Sequence, residues 1–238
     1  MLSMLLCFSA ERPTWSVSQL AEELELSTSS AYRYVAVLRD VGLLDAAGES
    51  TYRVTERAVG LARAAEAAKA PLIDTALPIM TRLRDQIDET VLVAQRTGTT
   101  VYCVDRVESH HPVRLQFDRG QPMPLHLGAL ARVLLAAMPA RERDEYLRDV
   151  IPAVTPQHRC LLTDEALAEV RATGAAESVG EVDAGIWGAA SSIVVDGRVV
   201  ASIGTAAPQY RMDASRRQEV RRLVAIAASE VSEALSQR

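Results

Sequence analysis

The sequence predicts an α+β protein of two domains: an N-terminal winged helix-turn-helix, a linker helix, and a second domain mixing strands and helices. Three observations predict it. Residues 2–54 carry three short helical patterns and then a hairpin pattern, residues 56–70 are alanine-rich, and beyond Pro71 strand-like runs alternate with helical ones. The expected boundaries are 1–55 for the winged helix-turn-helix, 56–70 for the linker helix and 71–238 for the second domain. With 238 residues, 48% of them hydrophobic and 24% charged, the chain can bury a sizeable core, which excludes disorder as a description of the whole.

Each element has a local reason. Leu2, Leu5 and Leu6 recur at helical spacing until Pro13 ends a first short helix, because the residue before a proline avoids helical geometry. Ser16 and Gln19 form a capping-box pair ahead of Leu20, Ala21 and Leu24, the buried face of a second helix. Ser27 is the expected N-cap of a third, with Ala31, Val35 and Leu38 inward and Gly42 as its stop. Leu43-Leu44 and residues 51–54 flank the turn-prone 46–50 and read as a hairpin, the wing. A linker helix follows, closed by Pro71, and then a helix over 72–87 kinked by Pro78. Strands are expected at 90–96, 99–107 and 112–118, helices at 127–138, 140–149 and 163–173, and strands again at 175–182, 188–196 and 198–205. Asp196-Gly197 is the strongest turn signal, and a last helix spans 213–236.

Charge narrows the function. A net charge of −5 gives no global attraction to nucleic acid, so any DNA contact must come from local geometry. All but one of the 26 basic residues are arginine, Lys69 being the exception, and this skew is not a binding signal. Residues 28–57 balance Arg33, Arg39, Arg53 and Arg57 against Asp40, Asp45, Glu49 and Glu56, so geometry decides there too. In a helix-turn-helix the N-terminal residues of the third helix enter the major groove, where base edges are distinguishable. Ser16, Thr28, Ser29, Ser30, Tyr32, Arg33 and, on the wing, Arg53 are the candidate DNA contacts. A three-helix unit with a wing also serves as a protein-binding module, and an enzyme or carrier built on the C-terminal domain is a further alternative.

Catalytic and metal chemistry find little support. There is no P-loop, no HExxH, no GxGxxG after a strand and no GxSxG elbow. Cys7, Cys103 and Cys160 are distant and odd in number, and His110, His111, His126 and His158 lack ligand spacing. No catalytic residue, cofactor or metal is expected, and His126 is read as a cap of its local turn. The opening MLSMLLCFSA lacks a basic n-region, and no apolar run is long enough to span a bilayer, so a cytoplasmic protein without membrane contact is expected.

Three stretches together resemble the IclR family of bacterial transcriptional regulators. SVSQLAEELELSTSSAYRYVAVLRDVGLLD, residues 16–45, with Tyr52-Arg53-Val54-Thr55 after it, is similar to that family's helix-turn-helix and wing. PLHLGALARVLLA, residues 124–136, is similar to the segment leading into an effector-domain helix. GEVDAGIWGAASSIVVDGRVVASIGTAAPQYRM, residues 180–212, resembles the closing hairpin and pocket wall. The resemblance begins late in the family's first helix, which leaves two expectations, a truncated start or a member without the arm that precedes that helix.

The resemblance implies a GAF-like C-terminal domain, an antiparallel sheet with flanking helices around a small-molecule pocket. It also implies homodimers, often pairing into tetramers, on palindromic double-stranded operator DNA, and leaves dimer against tetramer open. The pocket residues it implies are Leu115, Met123, Ala129, Leu130, Ser178, Trp187, Gly188, Gly204 and Ala206. Members that sense small carboxylates have an acid near Ser178, a cysteine at Gly188 and serines at Gly204 and Ala206. Loss of these groups implies a bulkier effector, less polar than glyoxylate, shielded by Trp187. The family's Gly-Lys pair is Ala131-Arg132 here.

Overall fold

The computed structural model describes residues 2–112, 115 and 117–237. The chain divides into two units, Met1–Ala70 and Pro71–Arg238.

In the first unit a 3-10 helix, Leu2–Cys7, precedes β1 (Thr14–Ser16), α1 (Val17–Glu23), α2 (Thr28–Asp40), β2 (Leu44–Ala46) and β3 (Thr51–Val54). The opening segment is thus a tight 3-10 turn whose one buried residue is Met4. Ser16 Oγ accepts from Gln19 N at 3.2 Å while Gln19 Oε1 accepts from Ser16 N at 3.0 Å, so both halves of the capping box form. Ser27 caps α2 by accepting from Ser30 N. Strand β1 is not expected from sequence, since three residues are too few to show alternation. It pairs with β3, Trp15 opposite Tyr52, and completes a sheet of order β1-β3-β2. Trp15, Val17, Leu20, Ala31, Val35, Leu38 and Leu44 close the core beneath it. Arg39 of α2 lies 5.7 Å over the Tyr52 ring and ties the third helix to the wing.

Pro71 does not close a helix. Helix α3 runs from Arg57 to Ile87 with Pro71 and Pro78 inside it. A proline four residues on frees the carbonyls of Ala67 and Asp74. Both residues are exposed, so water can satisfy them. The apolar stripe Leu72, Ala76, Ile79, Met80, Leu83 and Ile87 begins immediately after Pro71 and continues through Pro78, and its burial holds this part of the helix in place.

The second unit continues with β4 (Val91–Thr97), β5 (Thr100–Val107), β6 (Pro122–Pro124), α4 (Ala129–Ala136), α5 (Ala140–Val150), α6 (Pro156–Arg159), α7 (Asp164–Thr173), β7 (Ala175–Val179), β8 (Ile186–Val195), β9 (Arg198–Pro208) and α8 (Ala214–Ser236). The strand expected at 112–118 lies partly outside the described residues, and the strand paired with the outer edge of β5 is β6. All pairings are antiparallel, in the order β6-β5-β4-β9-β8-β7. Asp196 and Gly197 both have positive φ, 50° and 73°, the geometry an Asp-Gly hairpin turn requires.

Alternation along β8 sets the layers. Trp187, Ala189 and Ile193 join Val91, Val93, Ile203 and Ala207 in a core shared with α3 and α8. Ala190 packs with Ala129 and Val133 of α4 on the opposite face. Leu134 and Leu135 of α4 and Leu167 of α7 close a second core there. Strand parity therefore decides which side chains can reach a cavity on the α4 side.

Candidate functional site

Of the candidate DNA contacts, Thr28, Ser29, Tyr32 and Arg33 are exposed on the first two turns of α2, with Tyr32 59% exposed despite its ring. Ser30 is half-buried, and its hydroxyl accepts from Ser27 Oγ at 2.9 Å. Ser16 is half-buried and its hydroxyl is occupied by the α1 cap. Arg53 is exposed on β3, 3.9 Å from Asp45 on β2. The helix start offers hydroxyls, a phenol and a guanidinium together with its own backbone N–H groups, a set suited to phosphate and base-edge contacts.

In the second unit a cavity of about 290 Å³ lies between the start of α4, β6 and the β7–β8 connection. Leu115, Met123, Ala129, Leu130, Ser178, Gly188 and Ala206 all line it. Leu127, Phe117 and Ile186 add apolar wall that the sequence does not single out. A side chain at Gly188 would place its Cβ 2.8 Å from Ser178 Oγ, so the glycine leaves room beside that hydroxyl.

Two expected wall residues are elsewhere. Trp187, fully buried, points to the α8 side of β8, where its Nε1 donates to Glu177 Oε1 at 2.6 Å and Arg217 lies 5.9 Å from its ring. It shields no ligand in this cavity, because it is one residue out of phase with Gly188. Gly204 sits in register opposite Ala190, and a Cβ there would come within 2.3 Å of Ala189 O. It accommodates the neighbouring strand, not a ligand.

The expected loss of a pocket acid also needs correction. Glu181 lines the cavity with its side chain only 2% exposed. Its Oε2 accepts from Arg132 Nη1 at 2.6 Å and from Gly128 N at 3.1 Å, the second bond at the N-cap of α4. Arg132, 4% exposed, donates through Nη2 to the Glu177 carbonyl as well. The arginine whose meaning is not legible from sequence is thus the counter-charge of the cavity's acid. Gly128 is at φ +86°, which glycine adopts freely, and this turns the chain into α4.

His126 and Tyr146 of α5 join through Nδ1 and the hydroxyl at 2.6 Å, fixing the segment that leads into α4. Burial lowers the His126 pKa. Burial raises that of Tyr146, against the lowering effect of hydrogen bonds from the Leu125 and His126 backbone. The unfolded chain therefore takes up a proton at His126 more readily than the folded one. This contribution to stability is complete above about pH 6.5 and is lost as pH falls below it. The thermal midpoint of wild type should fall more steeply between pH 7 and 5 than that of His126→Gln; equal slopes would remove His126 from the pH response.

Among the described residues no group of three or more His, Cys, Asp and Glu side chains could hold a metal ion, and no helix is long and apolar enough to cross a membrane.

The bacterial transcriptional regulator IclR C-terminal domain matches residues 64–233, and the IclR helix-turn-helix domain matches residues 1–47. The chain belongs to the IclR family. It is 27% identical over 169 residues to the HTH-type transcriptional regulator TtgV of Pseudomonas putida, a match covering 70% of this chain and 64% of that one. The chain thus spans just under two thirds of that relative's length. An IclR transcriptional regulator from Silicibacter sp. TM1040 has the same fold, with a TM-score of 0.83 at 22% identity, covering 99% of this chain and 94% of that one. So does an IclR homolog from Microbacterium hydrocarbonoxydans complexed with 4-hydroxybenzoate, with a TM-score of 0.78 at 24% identity, covering 100% and 98%.

Proposed function

We propose that the chain is a ligand-responsive transcriptional regulator. It binds operator DNA through α2 and the wing, and a small organic effector in the cavity beside α4. The observation that carries this reading is the pairing, on one chain, of an exposed α2 start (Thr28, Ser29, Tyr32, Arg33) with a largely apolar cavity of about 290 Å³. An apolar cavity of about 150 Å³ is enough to bind benzene, so this one suits a substituted ring or a short branched chain. The 4-hydroxybenzoate bound by the Microbacterium homolog is of that size and supports an effector larger and less polar than glyoxylate. One α2 per chain makes a homodimer the smallest specific reader, with half-sites about 10 base pairs apart or a multiple of that. Val59 and Leu61, 50% and 61% exposed on the linker portion of α3, offer apolar surface for such pairing. Pairs of dimers would read longer sites. Effector occupancy switches DNA affinity only through a difference in its affinity for the two arrangements of the paired winged helices.

A gel shift with the intergenic DNA upstream of the gene tests the reading, with and without 4-hydroxybenzoate as the first probe. Arg33→Ala is expected to weaken the shifted complex about 10-fold or more, with the fold intact by circular dichroism. A base-reading Arg33 relaxes specificity at one position, whereas a phosphate-contacting one lowers affinity for all sequences and reduces the salt slope by about 1. Undiminished binding by Arg33→Ala would remove α2 from the groove.

A further inference from the structure

Resting on the reading of this cavity as the effector site, we infer that the effector is a compact, mainly apolar alcohol or phenol. Its hydroxyl sits between Glu181, to which it donates, and the first turn of α4, from which it accepts. The cavity wall is mainly apolar, its polar side chains besides Glu181 being Gln121, Ser178, Asp183 and Thr205, so its few polar atoms set the chemistry of the ligand. Glu181 is the decisive one. Its Oε2 is fully used by Arg132 and Gly128, while Oε1 has no hydrogen-bond partner among the described residues. An ionised carboxylate oxygen accepts only, so what it lacks is a donor. Arg132 balances the charge from behind but leaves that oxygen open.

The bond from Gly128 N places the carboxylate at the start of α4, an eight-residue helix with no side-chain cap. The first N–H groups of a helix have no intrahelical partner. Those of Ala129, Leu130 and Ala131 belong to residues on the cavity wall. Donors and an open acceptor are therefore adjacent. A hydroxyl serves both, giving its proton to Glu181 and its lone pairs to the helix start. An ether can only accept, a protonated amine can only donate, and a carboxylate placed there accepts from the helix but meets the like charge of Glu181. A hydrogen bond to a charged group contributes enough to separate these ligands about 10-fold to 100-fold.

The test is calorimetric titration of the full chain with four probes of similar size: 4-methylphenol, 4-methylanisole, 4-methylbenzoate and toluene. The expected order places 4-methylphenol at least about 10-fold tighter than each of the others. In Glu181→Gln, whose amide keeps an acceptor for Arg132, that preference should shrink below about threefold. Should the variant not fold, the wild-type series decides alone. Equal or tighter binding of 4-methylanisole, 4-methylbenzoate or toluene overturns the hydroxyl assignment while leaving the cavity as an effector site. If none of the four binds, both the assignment and the effector reading fall.

Discussion

Gly204→Leu is expected to unfold the second unit at temperatures where wild type is stable, not to plug its cavity. A Cβ at position 204 would lie 2.3 Å from Ala189 O and 2.9 Å from both Cα and Cβ of Ala190. These are atoms of the neighbouring strand, not the tip of a flexible side chain. Overpacking a core with extra methylenes costs about 1–3 kcal/mol where side chains can adjust, and more where backbone must move. Here β9 is hydrogen-bonded on both sides, with Gly204 opposite Ala190 of β8 and Leu92 of β4, so neither neighbour can shift without breaking the ladder. Ala206→Leu is the informative partner, because Ala206 lines the cavity two residues along the same face. It should abolish binding of 4-methylphenol with a thermal midpoint near wild type, whereas Gly204→Leu loses the midpoint itself. Wild-type stability with blocked binding in Gly204→Leu would return that glycine to the cavity wall.

What the sequence reveals of the fold depends on signals shorter than one element. The strand pair 188–196 and 198–205 is legible from alternation and from Asp196-Gly197, and the helix starts at Ser16 and Ser27 from their hydroxyls. Pro71 misleads because a proline is a local signal. The apolar stripe that overrides it spans Leu72 to Ile87, and its partners lie on β8, β9 and α8, far away in sequence. Trp187 misleads for a related reason. A resemblance can bring a residue to the right strand, but a pleat sends successive side chains to opposite faces, and only the register against β7 and β9 fixes which face. Gly188 and Ala206, which share a parity, do face the cavity.

The polar end of the cavity is illegible in the sequence because its members are separated by 49 residues. Glu181 lies three positions after Ser178 in a stretch that reads as having lost its acid, and Arg132 is one turn into a helix otherwise made of Ala, Leu and Val. Neither residue reveals the other without the packing of α4 against β7 and the connection that follows it. An arginine on a helix with no polar face is the available signal, since a charge amid apolar neighbours needs a partner.

That pairing gives the second large effect. Arg132→Ala should destabilise the second unit by about 3–5 kcal/mol, the usual result of removing one partner from a buried ion pair. The loss has two parts. Glu181 keeps its bond to Gly128 N but its charge stays buried without a counter-charge, and the Glu177 carbonyl loses the Nη2 donor. Arg132→Lys keeps the charge without the planar fork that reaches both acceptors, so it should fall between wild type and Arg132→Ala. Removing both charges behaves differently. Arg132→Met combined with Glu181→Gln leaves no buried ion, and its stability should recover to within about 1–2 kcal/mol of wild type. Urea unfolding of the single and double variants measures the coupling between the two sites directly. If Arg132→Ala unfolds within about 1 kcal/mol of wild type, Glu181 is not held by Arg132 in solution, and the open oxygen facing the cavity loses its support. If instead the single variant is severely destabilised and the double recovers, the pair adds little net stability, and what it contributes is the fixed position of Glu181 against α4.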